Sequence, residues 1–144
     1  MLHVPYRGGG PAPTDMLGGQ VQVYFATTAT SIEYIRSGKL RPLATTGRSR
    51  SALLPDIPAL AEFLPGYEAS IYVGIVAPRS TPAAIVDKLN HEINLGLADA
   101  RMTQRIAEFG DAPLVMSPSA FGRLIADETE KWAMVIRAAH IKAE

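Results

Sequence analysis

Apolar residues along the chain fall in short runs separated by glycine and proline, and the runs alternate between two kinds of spacing. Residues 2–6, 21–25, 40–46, 69–77 and 114–116 carry β-branched and aromatic side chains without helical periodicity, which predicts strands. The run 69–77 contains Ile71, Val73, Ile75 and Val76 and reads as a buried strand. Residues 12–17 and 30–37 predict helices, the second with Ile32 and Ile35 three apart and Gly38 placed to end it in a left-handed turn. A short helix is expected over 59–63, between Pro58 and the Pro65-Gly66 turn.

The second half is more regular. Thr81-Pro82 predicts a helix start, after which Ile85, Val86, Leu89, Ile93 and Leu97 form an apolar stripe. Residues 101–109 predict a further helix closed by Gly110. Ser117-Pro118 repeats the cap-and-proline device ahead of a long helix, in which Phe121 and Trp132 read as core residues. Strands alternating with helices predict an α/β architecture with some parallel pairing.

Composition narrows the function more than the fold. A chain of 144 residues is one ordinary domain or two small units. Fourteen Lys and Arg balance 14 Asp and Glu, so no global charge draws the chain to nucleic acid or anionic lipid. The basic residues Arg36, Lys39, Arg41, Arg48 and Arg50 have no aromatic residue among them to stack a base, and a nucleic-acid partner is not expected. Without cysteine there is no thiol nucleophile, disulfide or Cys-based metal site. His3, His91 and His140 lack chelate spacing, and no nucleophile elbow or carboxylate pair stands out, so neither cofactor nor enzyme chemistry is expected.

Two junctions remain as candidate sites. Arg7-Gly8-Gly9-Gly10 is either a tight turn of glycines at positive φ or a loop whose backbone N–H groups face an anion, and the residues alone favour the turn. The hydroxyl-rich junction 25–31 either binds a carboxylate or merely caps its helix through Thr30 or Ser31, with the cap favoured.

The ordered series Val4-Pro-Tyr-Arg-Gly8, Leu17-Gly-Gly-Gln-Val21, Gly38-Lys-Leu-Arg41, Leu43-Ala-Thr-Thr46, Leu54-Pro-Asp-Ile-Pro58, Pro65-Gly-Tyr-Glu68, Gly74-Ile-Val-Ala-Pro78 and Lys131-Trp132 resembles the Bug-type solute-binding proteins of tripartite tricarboxylate transporters. The resemblance implies the C-terminal half of a bilobed periplasmic-binding-protein-like (type II) α/β fold. Residues 1–68 would be part of the second ligand-binding lobe, and 69–144 a hinge crossing and the C-terminal part of the first. It implies a periplasmic receptor that captures a small carboxylate and delivers it to membrane permease subunits; as a truncated form of such a receptor, this chain is not expected to bind fully by itself. The ligand-binding positions carried over are Tyr6, Arg7, Gly8, Gly9, Phe25, Ala26, Thr27 and Tyr72. Many relatives have an acid where Ala26 stands, so its absence disfavours an amino-acid ligand. Residues 1–7 hold no apolar stretch of the signal-peptide kind, and no signal peptide is expected in this chain. As half of such a receptor, the chain is expected to expose apolar faces and open sheet edges and to self-associate or domain-swap. The competing expectation is a stand-alone structural or interaction domain that binds no ligand.

Overall fold

The computed structural model describes residues 2–142. Its elements are five α-helices among the described residues, α1 (Pro11–Leu17), α2 (Thr28–Arg36), α3 (Ala83–Ala98), α4 (Ala100–Glu108) and α5 (Pro118–Ala138), with a 3₁₀ turn at Leu60–Glu62. The chain divides into two units: one holds residues 1–74 and 103–112, the other 75–102 and 113–144.

Helix punctuation follows the sequence closely. α2 ends at the C-cap Ser37, and the next residue, Gly38, takes φ +71°. Gly110 closes α4 at φ +83°. Ser117 caps α5 by accepting the Ala120 amide at 3.2 Å, with Pro118 at the first helical position. At α3 the cap position falls on Pro82 rather than on Thr81, and no side-chain cap forms.

The α/β expectation, and with it the type II periplasmic-binding-protein-like architecture, is overturned. Among the described residues there is no β-strand; the sole pairing is an isolated parallel bridge between Thr45 and Ala59. Among the described residues the runs 2–6, 21–25 and 114–116 form no ladder with neighbouring backbone, and 69–77 touches one only at its start, where the Ala69 amide donates to the Thr46 carbonyl at 2.9 Å. Strand propensity describes how a side chain fits a pleated, half-buried surface, and without a partner it forms no ladder. For 40–46 the obstacle is local. Thr45 donates to the Pro58 carbonyl at 2.9 Å and accepts from Leu60 at 2.8 Å, but Pro58 has no N–H to continue the ladder and Leu60 enters the 3₁₀ turn.

Burial in the first unit centres on Ala12, Ile32 and Ala59, at most 3% exposed, with Ser31 beside them. The buried strand expected at 69–77 is instead largely exposed, Val73 at 91%. The loop 50–62 is fastened by a two-pronged ion pair: Arg50 Nε and Nη2 donate to Glu62 Oε1 and Oε2, each at 2.8 Å. Glu62 Oε1 also accepts the Ala59 amide at 2.8 Å. In the second unit α3 lies against α5, and Asn90 and Asn94 each donate to the Met116 carbonyl at 3.0 Å. Trp132, expected in the core, is 37% exposed, and its Nε1 donates to Glu128 at 2.8 Å.

Candidate functional site

The glycine loop and the hydroxyl junction both belong to the first unit. Gly8 sits at φ +94° and its N–H reaches the Tyr6 carbonyl at 2.9 Å, so a tight turn is present, with positive φ at Gly8 but not at Gly9 or Gly10. No atom lies within 4 Å of where a Gly8 Cβ would stand. At Gly9 the next layer is close: an added Cβ would be 3.4 Å from both the Thr30 methyl and the Tyr24 hydroxyl. Tyr24 also donates to the Gly9 carbonyl at 3.3 Å. The loop from Tyr6 to Gly9 and the start of α2 are therefore neighbours, fastened through Tyr24.

Around Tyr6, the phenol donates to Asp15 Oδ2 of α1 at 2.8 Å. That hydrogen bond to a carboxylate, with smaller contributions from desolvation and the Asp15 charge, raises the phenol above its ordinary value of 10.0. The oxygen of Tyr6 thus keeps only acceptor capacity for a further partner. Arg7 is exposed and makes no ion pair among the described residues.

Thr27 is the N-cap of α2, with φ −75° and ψ 150°, and its side chain makes no cap hydrogen bond. Its Oγ1 is 3.1 Å from the Thr30 hydroxyl, while the Thr30 and Ser31 hydroxyls both donate to the Thr27 carbonyl at 3.0 Å. Neither Thr30 nor Ser31 caps the helix, contrary to the favoured reading. The Thr30 amide turns back to the Thr27 carbonyl at 3.2 Å, leaving the Thr28 and Ala29 amides without a partner among the described residues. Phe25, Ala26 and Thr27 are exposed in front of these amides, and no acidic residue lies in the first helical turn. Such an end carries partial positive charge and offers directed N–H donors to an anion.

Tyr72 stands apart in sequence, in the stretch 67–78, and is 39% exposed. Sequence reasoning missed Asp15 and Tyr24, whose roles arise from contacts across the fold. Among the described residues no three His, Asp or Glu gather as a metal site.

The family described as TctC, the tripartite tricarboxylate transporter family receptor, matches residues 1–141. The chain belongs to this receptor family. Its members are periplasmic solute-binding receptors and not enzymes. BugT of Bordetella pertussis is 37% identical over 135 residues, covering 93% of this chain and 41% of BugT. Among solved structures, Rpa4515 of R. palustris with adipate has a TM-score of 0.89 at 33% identity, covering 96% of this chain and 46% of that one. MatC of Rhodopseudomonas palustris with bound malate has a TM-score of 0.82 at 29% identity, over 92% of this chain and 47% of MatC. The chain thus spans less than half the length of each of these TctC-family relatives.

Proposed function

We infer that this chain is part of a receptor, corresponding to the C-terminal half of its relatives, that binds a small carboxylate for delivery to the permease subunits of a tripartite tricarboxylate transporter. Residues 1–68 contribute to one ligand-binding lobe, and residues 69–144 to a crossing and part of the other. One observation carries the reading: the Thr28 and Ala29 amides at the start of α2 are open, and the glycine loop stands beside them.

Recognition rests on backbone. The amides of Gly9, Thr28 and Ala29 approach a carboxylate closely because Gly8, Gly9 and Ala26 carry little or no side chain, while the Gly8 N–H holds the turn through the Tyr6 carbonyl. Arg7 supplies a supplementary charge, Tyr6 an acceptor, and Phe25, Thr27 and Tyr72 the surrounding wall. With alanine at position 26 no carboxylate there meets a ligand ammonium, so a plain carboxylate fits better than an amino acid. Adipate and malate, held by two relatives, are the natural first probes.

The test is a titration of the chain with adipate, malate and glutamate, followed by amide NMR at Gly9, Thr28 and Ala29. The expected result is that adipate or malate shifts these amides, that glutamate does not, and that Gly8→Val weakens the response more than Arg7→Ala. Gly8→Val strains a backbone at φ +94°, whereas Arg7→Ala removes only a solvated charge. Loss of response in Arg7→Ala with an unchanged Gly8→Val would refute recognition by backbone. No amide shift with any of the acids would favour a domain that binds no ligand.

A further inference from the structure

The three glycines after Arg7 give the loop little backbone preference of its own. Turning over the peptide between Gly9 and Gly10 changes only ψ of Gly9 and φ of Gly10. The second angle, now −69°, would move to the positive side, which glycine enters freely. Gly10 also stands at ψ −51°, in the helical region that a following proline, here Pro11, disfavours. Local preference therefore does not fix which way this peptide faces.

The facing matters because the two ends of a peptide differ in charge. No described peptide is cis, and in a trans peptide the C=O and N–H point in opposite directions. An anion is drawn to the side that shows the N–H and repelled by the side that shows the carbonyl oxygen. In the structure the Gly9 carbonyl is already committed, since the half-buried Tyr24 donates its hydroxyl to it at 3.3 Å. That hydroxyl also lies 3.4 Å from where a Gly9 Cβ would stand, and the Thr30 methyl of α2 is equally close. Gly9 is thus bracketed between Tyr24 and α2. The Gly10 N–H, directed away from Tyr24, has no partner among the described residues.

We propose that Tyr24 is a positioning residue for the carboxylate. Its hydroxyl pins the Gly9 carbonyl, so the Gly9–Gly10 peptide offers the anion its N–H and not its carbonyl oxygen. The assignment rests on the reading of the glycine loop and the start of α2 as a carboxylate site. It goes beyond that reading in naming a residue that touches no ligand and acts through the orientation of one peptide. All its parts, Gly9, Gly10, Tyr24 and Thr30, lie in the first unit. Tyr34, in α2 of the same unit, supplies a control, because its hydroxyl has no hydrogen bond among the described residues.

Amide NMR on the chain separates the steps. Without acid, the couplings between the Gly10 amide and its α-protons read φ directly. In the parent they should match −69°, and in Tyr24→Phe they should move toward an average that includes positive φ. With adipate or malate, the dissociation constant read at Thr28 and Ala29 should rise about two- to fivefold in Tyr24→Phe. The effect is modest because 3.3 Å is long for a hydroxyl donor. Tyr34→Phe should match the parent in both measurements. A parent that responds to no acid would overturn the reading of the site and this assignment with it. A responsive parent whose affinity Tyr24→Phe leaves unchanged would overturn the role of Tyr24 alone. Weakened binding with unaltered Gly10 couplings would overturn the peptide mechanism.

Discussion

Gly110 tests whether the end of α4 is fitted against the candidate ligand junction. At φ +83° it occupies the left-handed region, and a Cβ there would run into the methyl of Thr28 while standing 3.0 Å from Thr28 Cβ and 3.2 Å from Leu53 Cδ1. Rotating Thr28 moves its methyl aside but not its Cβ, which is fixed to the backbone at the first residue of α2. Gly38 provides the matched control, with φ +71° and nothing within 4 Å of an added Cβ. Gly38→Ala should lose only the left-handed strain, ~1–2 kcal/mol. Gly110→Ala should lose that and the cost of overpacking, a further ~1–3 kcal/mol. For a unit of this size each kcal/mol lowers the melting temperature by ~4–8 °C. The assay has a built-in separation, because Tyr6, Tyr24, Tyr34, Tyr67 and Tyr72 lie in the first unit and Trp132 in the second. Near-ultraviolet circular dichroism in the tyrosine bands should show Gly110→Ala melting at least ~4 °C below Gly38→Ala. Equal melting of the two variants would refute the packing argument.

Two further outcomes follow from the first unit. The Arg50 hydrogen bonds, helped by the Ala59 amide and the Arg50 charge and opposed by desolvation, hold Glu62 at about 2 against an ordinary 4.5. Its folded value is depressed, so its contribution to stability is present above pH 4.5 and is lost as the pH falls toward 2. Acid titration of the tyrosine signal should therefore show a shallower decline in that window for Glu62→Gln than for the parent, and superimposable curves would contradict the clamp. Thr45 Oγ1 is buried without a hydrogen-bond partner among the described residues; Thr45→Val, nearly equal in shape, should stabilise the unit by ~1 kcal/mol in urea unfolding, because an unmet polar group costs ~1–3 kcal/mol.

The helices were legible because their ends are decided locally. Gly38 and Gly110 adopt left-handed φ where the sequence places helix stops, and Ser117 with Pro118 supplies both a cap acceptor and a preset φ. Each device acts over four or five residues, within reach of sequence reasoning. The cap of α2 was less legible, since three hydroxyls compete at one terminus. The sequence offers Thr30 and Ser31 as caps, but the N-cap position falls on Thr27, and both hydroxyls donate backward to its carbonyl and leave the helix end open. Which way a hydroxyl turns depends on geometry that no spacing rule records.

The strands failed for a different reason, and the same reason governs the candidate site. Val73 and Ile75 have strong strand propensity, yet propensity measures fit to a neighbour, and none of the described backbone lies in register with theirs. Likewise Asp15 is an ordinary helix residue until the Tyr6 phenol reaches it, and Tyr24 an ordinary apolar-run residue until it bonds to Gly9. In both cases the sequence names groups whose roles are completed by a partner distant along the chain. Tyr6 and Tyr24 find their partners within the chain, whereas the Thr28 and Ala29 N–H donors at the start of α2 find none among the described residues, and it is there that the proposed carboxylate would act.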